Sequence, residues 1–147
     1  MDKKELFEHL GLSEYIAFDF ETTGLNPNED RIIEIAAIKF HNGDPIERFI
    51  TLINPERSID PFITDITGIS DNMVKDEPIE LEILNDFLEF LSDFPLVAHN
   101  INFDKSFLDA LCIRHEKPLN NNLLFDTLQL SRTFLFFNPV HNLGSIS

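Results

Sequence analysis

Two carboxylates at the end of an apolar run are the residues of this sequence best placed to do chemistry. Asp19 and Glu21 lie two positions apart in YIAFDFE, a β-rich run that predicts a buried strand. Because side chains alternate faces along a strand, both carboxylates project from the same side. No lysine or arginine lies between Lys4 and Arg31 to neutralise them. A divalent cation is therefore the simplest partner, and an oxygen-only ligand set favours Mg²⁺ or Mn²⁺ over zinc.

The residues that follow add polar groups and a flexible backbone. Thr22, Thr23 and Gly24 stand where the predicted strand leaves the sheet, and ligands of open α/β sheets bind outside such strand ends. The pattern D-x-E-x-T-G therefore predicts a ligand site. Taken alone, the same residues are equally consistent with an acidic loop closed by an Asx-type turn.

A second group of polar residues follows another short predicted strand, PLVAH at 95–99. Asn100 or Asn102 can cap a helix that begins here, and Asp104 falls in its first turn, where the positive helix end favours an anion. Helical spacing places the Asp104 carboxylate beside the apolar face of this helix, close to the sheet. The simpler alternative is that Asp104 only stabilises the helix N-terminus.

Hydrophobic periodicity gives the elements that would position these groups. Strands are expected over 15–20, 31–41, 45–53, 95–99 and 123–126, and helices over 2–10, 61–67, 81–91, 102–115 and 127–137. Asn42-Gly43-Asp44 is the strongest hairpin signal. Three sequential antiparallel strands, followed by alternating helices and strands, predict a mixed five-stranded α/β sheet flanked by helices.

Local signals add detail to two of the predicted helices. Gly68 is expected to end the helix over 61–67, and Ser70 is expected to cap a further short turn. In the helix over 81–91, four apolar residues share the face predicted to pack on the sheet: Leu84, Phe87, Leu88 and Leu91.

The composition fits one soluble domain with a strong negative charge. The 147 residues can bury a sizeable core, and 11 lysines and arginines against 26 acids give a net charge of −15. Such a charge predicts repulsion of nucleic acid unless metal ions or a local basic patch intervene. No apolar run is long enough to span a membrane, and the single cysteine, Cys112, suits a reducing compartment, so a cytoplasmic location is expected.

Five short motifs occur in the order of a known family. DFETTG at 19–24 and NINFD at 100–104 resemble the first and second motifs of the DEDDh 3′–5′ exonucleases. INP at 53–55, TGI at 67–69 and FDT at 125–127 are similar to further segments of that family. The family includes the proofreading epsilon subunit of bacterial DNA polymerase III, ribonuclease T, and exonuclease domains fused to polymerases or DinG-like helicases.

This resemblance implies a ribonuclease H-like fold and hydrolysis of nucleic acid from the 3′ end, DNA more than RNA, with two divalent ions, Mg²⁺ or Mn²⁺. It also implies that Asp19 bridges both ions, that Glu21 binds the ion on the nucleophile side, and that Asp104 binds the second ion through water. The implied partners are a single-stranded or frayed 3′ end of DNA or RNA and a fused or associated polymerase or helicase, with no membrane. The implied substrate contacts are Thr22, Thr23, Gly24, Leu25, Asn100 and Phe103. Phe103 fits the apolar core at least as well.

The match departs from the family at its third motif, H-x4-D, which supplies the general base and a fourth carboxylate. After Asp104 no histidine is followed five positions later by aspartate, and HNLGSI at 141–146 resembles only the segment before that motif. We therefore expect one exonuclease-like domain over 1–147, incomplete at its C-terminus and lacking its last helix, in a form that is inactive or impaired. The apolar run 134–137 would then be exposed and would favour self-association.

Three alternatives stay open at this point. The first is a non-catalytic nucleic-acid-binding or protein-binding module of the same fold. The second is an enzyme directed to RNA, because ribonuclease T-like members share these motifs and the few cations of the chain do not discriminate. The third is a metal-binding α/β domain without nuclease activity.

Overall fold

The computed structural model describes residues 5, 8–9 and 12–127 of the chain. The strands are β1 (Glu14–Thr22), β2 (Ile32–His41), β3 (Asp44–Leu52), β4 (Leu96–Ala98) and β5 (Leu124–Asp126). The helices are α1 (Pro61–Thr67), α2 (Asp71–Val74), α3 (Glu80–Leu91) and α4 (Ile101–Arg114). The helices expected over 2–10 and 127–137 lie almost entirely outside the described residues, as does the apolar run 134–137.

The five strands form one mixed sheet in the order β3-β2-β1-β4-β5. β1 pairs with β2, and β2 with β3, in antiparallel orientation, whereas β4 runs parallel to both β1 and β5. This arrangement confirms the predicted sheet of three antiparallel strands followed by parallel strands. Because β1 and β4 point the same way, the end of β1 and the start of α4 lie at the same edge of the sheet.

The turn between β2 and β3 forms as the sequence predicts. Asn42 and Gly43 have φ angles of 51° and 86°, and His41 pairs directly with Asp44. Both central residues of a tight hairpin turn need positive φ, which glycine and asparagine adopt at the lowest cost. This turn fixes the register of the hairpin.

A cluster of aromatic and aliphatic side chains joins α3 and α4 to one face of the sheet. Phe87 of α3 is fully buried and packs edge-on against Phe20 of β1, with 5.9 Å between the ring centroids. Phe107 of α4 belongs to the same cluster. Of the face predicted for α3, Leu84, Phe87 and Leu91 are buried and Leu88 is only partly buried, while Ile83 is buried without having been predicted.

Helix α1 begins and ends at the predicted residues. The Asp60 carboxylate accepts a hydrogen bond of 2.8 Å from the Phe62 N–H, and Pro61 occupies the first helical position, where no backbone donor is needed. Gly68, with φ of 79°, ends the helix in a left-handed conformation. Ser70 precedes α2 as predicted, but its side chain makes no capping hydrogen bond.

The predicted cap of α4 is wrong. Asn100 has left-handed backbone angles, φ 60° and ψ 57°, and its side chain makes no capping bond, while Asn102 lies inside the helix. The Ile101 N–H instead donates to the Asp126 carboxylate at 3.2 Å. The cap therefore comes from the end of β5, a neighbour in space that the local sequence does not reveal. None of the helices in the described part of the chain is long and apolar enough to cross a membrane.

Candidate active site

Asp19 and Glu21 lie near the end of β1, the central strand of the sheet. Asp19 is exposed to solvent and Glu21 is half-buried. Loss of surrounding water raises the pKa of Asp19, and the neighbouring His99 partly offsets that rise. Desolvation also raises the pKa of Glu21, and the charges of Asp19 and Glu34 raise it further. The two carboxylates therefore carry their negative charge at an energetic cost.

Asp104 reaches the same place from the first turn of α4. The residue is only 2% exposed, and its Oδ1 accepts a hydrogen bond of 3.2 Å from the Phe20 N–H, between the two carboxylates of β1. Burial raises the pKa of Asp104 to about 8, and the charges of Asp19 and then Glu21 add to this rise while the hydrogen bond opposes it. The structure thus brings together the three carboxylates that the sequence singles out.

A further carboxylate, Glu34, lies beside these acids although the sequence alone does not predict it. Glu34 lies opposite Glu21 in the antiparallel pairing of β1 with β2. Its pKa is raised by desolvation first and by the charge of Asp19 second. A single acid within the apolar run RIIEIAA was the available signal, but its position opposite Glu21 depends on strand register.

His99 is a second residue that the sequence analysis gives no role. Its Nδ1 lies 3.0 Å from the Thr127 hydroxyl, and its proximity lowers the pKa of Asp19. His99 also stands five positions before Asp104, so the spacing H-x4-D does occur once in the chain, where it overlaps the second motif. That spacing was the signal that could have drawn attention to it.

The residues predicted to contact substrate differ in what they offer. The Thr22 hydroxyl donates to the Gly24 carbonyl at 2.6 Å, and the Thr23 hydroxyl donates to Asp30 at 3.0 Å, so both hydroxyls are engaged inside the loop. Leu25, by contrast, is 83% exposed. The loop therefore presents an apolar side chain and its backbone to a ligand.

Asn100 and Phe103 lie on either side of the start of α4. Asn100 is exposed at the end of the loop that enters the helix. Phe103 is half-buried, packs against the main core, and lies 5.0 Å from Phe107 between ring centroids. The ring of Phe103 thus contributes to the core, and only its remaining exposed part is available to a ligand.

Sequence comparison identifies the family of a chain with this arrangement. The RNase_T family model, described as an exonuclease, matches residues 16–146. The chain belongs to this exonuclease family. The match confirms the resemblance to the DEDD-type 3′–5′ exonucleases that the five motifs carry.

The curated relatives of this exonuclease chain are much longer proteins. The DNA polymerase III PolC-type of Caldanaerobacter subterraneus subsp. tengcongensis is 47% identical over 119 residues, which cover 81% of this chain and 8% of that protein. The DNA polymerase III PolC-type of Latilactobacillus sakei is 41% identical over 135 residues, covering 92% of this chain and 9% of that protein. The chain therefore spans less than a tenth of the length of these two relatives.

Solved structures of exonuclease I share the fold. A metal-free complex of the Escherichia coli enzyme with single-stranded DNA superimposes with a TM-score of 0.74 at 20% identity, covering 87% of this chain and 31% of that chain. Exonuclease I from Methylocaldum szegediense gives a TM-score of 0.68 at 25% identity, covering 81% of this chain and 29% of that one. The fold of this exonuclease-family chain is accordingly ribonuclease H-like.

The donor chemistry of the site fits a hard divalent cation. Asp19, Glu21 and Asp104 supply only oxygen ligands, and their raised pKa values mean that a nearby positive charge would relieve both desolvation and mutual repulsion. Within residues 5, 8–9 and 12–127, however, no three acidic, histidine or cysteine side chains are grouped tightly enough to hold an ion as placed.

Proposed function

We propose that this chain carries a metal-dependent 3′–5′ exonuclease site that acts on nucleic acid, with DNA favoured over RNA. The observation that carries the proposal is the meeting of a buried Asp104 with Asp19 and Glu21 at the end of the central strand. Family membership supports hydrolysis as the reaction class. The preference for DNA rests on the relatives, which are named as DNA polymerases.

Asp19, Glu21 and Asp104 would hold the divalent ions of such a site, Mg²⁺ or Mn²⁺. When bound, the ions would supply an activated water and stabilise the leaving 3′ oxygen of the phosphodiester. The role of the chain is to hold the three ligands beside each other in a fixed orientation. The Phe20 N–H, which donates to Asp104, fixes one of them against the strand that carries the other two.

The loop after β1 would bind the terminal nucleotide. Thr22 and Thr23 hold their hydroxyls inside the loop, so Leu25 and the backbone offer the main contacts, and Asn100 and the exposed part of Phe103 are further candidate contacts. Apolar contact suits the face of a base or sugar, which fits a single-stranded or frayed 3′ end. Because the net charge is −15, we expect binding to be local and dependent on the metal ions.

The third motif bears on the rate that these residues can reach. After Asp104 the 147 residues contain no H-x4-D, so the general base and fourth carboxylate implied by the resemblance are not among them. We expect this 147-residue form to hydrolyse its substrate slowly or not at all. This observation also favours a second candidate function, a non-catalytic nucleic-acid-binding or protein-binding module of the same fold.

A polymerase is the macromolecular partner that the relatives suggest. Both relatives named above are DNA polymerase III PolC-type proteins, and this chain matches less than a tenth of each. We propose that the exonuclease domain works in association with a polymerase, and that a helicase is the alternative. Self-association through 134–137 stays a prediction, because that run lies outside the described residues.

Degradation of matched DNA and RNA oligonucleotides tests the proposal. Single strands labelled at the 5′ end and incubated with the chain and Mn²⁺ should shorten slowly from the 3′ end, DNA faster than RNA, and not at all in EDTA. Asp19→Asn should abolish this shortening, whereas Asp65→Asn, the same charge change at an exposed residue of α1, should not.

Metal-dependent binding without shortening would favour the non-catalytic module. An absence of both binding and shortening would contradict a nucleic-acid function, and rapid Asp19-dependent release of mononucleotides would contradict the expected impairment.

A further inference from the structure

The carboxylate of Asp30 lies at the centre of the loop that connects β1 to β2. Its Oδ1 accepts a hydrogen bond of 3.0 Å from the Thr23 hydroxyl, and its Oδ2 accepts one of 3.0 Å from the Asn26 N–H. The Asp30 N–H in turn donates to the Asn26 carbonyl at 2.7 Å. One side chain therefore joins the start, the middle and the end of the loop.

Gly24 leaves the space that this carboxylate occupies. A Cβ atom built on Gly24 would lie 2.4 Å from Asp30 Oδ2 and 2.6 Å from Asp30 Cγ, which is shorter than real Cβ contacts allow. The φ angle of Gly24 lies outside the left-handed region, so its backbone conformation does not by itself require glycine. The glycine of the motif D-x-E-x-T-G is therefore needed for the close approach of Asp30.

The rest of the loop is closed around the same contact. The Thr23 oxygen that donates to Asp30 also accepts from the Arg31 N–H at 3.0 Å, and the Thr23 N–H donates to the Arg31 carbonyl at 2.8 Å. The Thr22 hydroxyl donates to the Gly24 carbonyl. With these groups engaged internally, Leu25 is the large apolar side chain that the loop exposes to solvent, beside the exposed polar residues Asn26, Asn28 and Glu29.

We propose that Asp30 is a positioning residue that holds residues 22–25 in the shape that receives the terminal nucleotide. This inference rests on the proposed function, because it assumes that the loop meets a 3′ end. Asp30 itself touches no substrate and acts through Thr23, Gly24 and Asn26. A carboxylate is suited to this role because its two oxygens accept from two donors at once, whereas an amide has a single acceptor oxygen.

The test measures binding of a 5′-fluorescein single-stranded oligothymidylate with a free 3′ hydroxyl, by fluorescence anisotropy in Mn²⁺. A phosphorothioate at the last linkage slows hydrolysis during the titration. Asp30→Ala should weaken binding about tenfold, the loss expected when charge-assisted hydrogen bonds that order a binding loop are removed. Asp30→Asn should give an intermediate loss, since one acceptor remains. Glu29→Gln is the matched control, because its described hydrogen bonds use only its backbone N–H and carbonyl, and it should bind as the unchanged chain does.

Blocking the 3′ end provides a readout that general destabilisation would not produce. The unchanged chain should bind the free 3′ hydroxyl more tightly than the same oligonucleotide with a 3′ phosphate. Asp30→Ala should lose most of this discrimination while its melting temperature, followed by circular dichroism, shows that it is folded. If a folded Asp30→Ala retains full discrimination, Asp30 does not position the loop.

A double-mutant cycle tests the link between Asp30 and Gly24. Gly24→Ala should weaken binding about tenfold in the unchanged chain, because the added Cβ displaces the Asp30 carboxylate, but it should add little in the Asp30→Ala background. Independent, multiplying losses would overturn the inference while leaving the proposed function intact. If the unchanged chain shows no Mn²⁺-dependent binding at all, the proposed function fails, and the role of Asp30 in binding fails with it.

Discussion

Asp104 is the residue at which the demands of packing and of chemistry conflict most directly. Its side chain is almost fully buried beside two other acids, and a single backbone N–H stabilises its charge. A carboxylate in such surroundings binds a proton more readily than it does in water. A divalent cation bound at the proposed site would compete with that proton for the same oxygens, so metal binding would depend on pH.

The first prediction concerns the pH dependence of stability in the metal-free chain. Because the pKa of Asp104 rises from 3.8 to about 8 on folding, the folded chain holds a proton between these values that the unfolded chain has released. The free energy of unfolding should therefore fall as the pH rises from about 4 to about 8, by on the order of a few kcal/mol. Urea unfolding of the metal-free chain at pH 5.5 and pH 8 measures this difference.

The controls for this prediction are two amide substitutions. Asp104→Asn should flatten the pH dependence and raise stability at pH 8, whereas Asp86→Asn, at an exposed residue of α3, should leave the dependence as it was. An Asp104→Asn variant whose stability falls as steeply as that of the unchanged chain would show that the buried carboxylate is not the titrating group.

At the residue scale, the sequence identifies functional groups whose residue types and spacing along the chain indicate their chemistry. Asp19, Glu21 and Asp104 could be singled out because acids are unusual beside apolar strands and at the start of an apolar helix. Glu34 could not be singled out in this way. Its position opposite Glu21 depends on the pairing of β1 with β2, which connects residues far apart in the chain. The hydrogen bond from the Thr23 hydroxyl to Asp30 was not predicted either, because it depends on how the loop closes.

At the scale of elements, the start of α4 shows how tertiary structure decides the position of a proposed catalytic side chain. Asp126, at the end of β5, accepts from the Ile101 N–H and so holds the first turn, in which Asp104 lies. The helix also packs into the main core through Phe107 and Leu111. The orientation of Asp104 thus depends on a strand that follows the helix in sequence.

The second prediction tests this cap. Asp126→Ala should destabilise the chain by about 1 kcal/mol, since it leaves a helix N-terminal donor without its acceptor. Hydrogen exchange at the Ile101 amide should accelerate more than exchange in the middle of the helix. Asn102→Ala, at an exposed position of the same turn, is the control and should change neither quantity. Equal exchange of the Ile101 amide in the unchanged and Asp126→Ala chains would contradict the cap.

The third prediction concerns the packing of α3 on the sheet. Phe87 is fully buried against Phe20 and Phe49, so Phe87→Ala should lower the free energy of unfolding by about 3–5 kcal/mol. Phe62, which is 67% exposed on α1, provides the matched control, and Phe62→Ala should change stability by less than about 0.5 kcal/mol. Chemical denaturation measures both. If Phe62→Ala lowered the free energy of unfolding as much as Phe87→Ala, the packing of α3 on the sheet would not explain the loss of stability at Phe87.

The elements that the sequence predicts well are those with local signals. Asp60, Pro61 and Gly68 mark both ends of α1, and Asn42-Gly43 marks the hairpin, because each signal acts within a few residues. The predicted cap of α4 was wrong because the cap depends on Asp126, and the burial of Ile83 on α3 was not predicted.

At the scale of the whole molecule, a net charge of −15 has to be reconciled with a nucleic-acid substrate. The acids near the end of β1 repel one another, which favours cation binding there, while most others lie on exposed surfaces. A chain of this charge has little long-range attraction for a phosphate backbone. Substrate would therefore be held at the metal site and by apolar contact with the loop.

The fourth prediction follows from this charge balance. Binding of single-stranded DNA should require Mn²⁺ or Mg²⁺, and its affinity should fall only weakly between 50 and 200 mM KCl, because few lysines or arginines contact phosphates. Anisotropy titrations in Mn²⁺ and in EDTA measure both effects. Tight binding of DNA in EDTA, or an affinity that falls steeply with KCl, would contradict this prediction and indicate a basic DNA-binding groove.

The overall architecture could be predicted because strand order follows from a few connections. An unambiguous hairpin, followed by alternating helices and strands, leaves few ways to build a sheet. The ordered motifs led to the family because they follow one another along the chain at or next to the ends of strands and helices. The assembly of the acids into one site required the completed fold.

The most direct test of the central claim is Mn²⁺ binding to the chain and its single-site variants, measured by electron paramagnetic resonance and calorimetry. If Asp19, Glu21 and Asp104 form one site, Asp19→Asn, Glu21→Gln and Asp104→Asn should each weaken binding at least about tenfold, and combining any two should not multiply the losses. Asp65→Asn should bind Mn²⁺ as the unchanged chain does. Full-strength binding by Asp104→Asn, or no Mn²⁺ binding by the unchanged chain, would contradict the account.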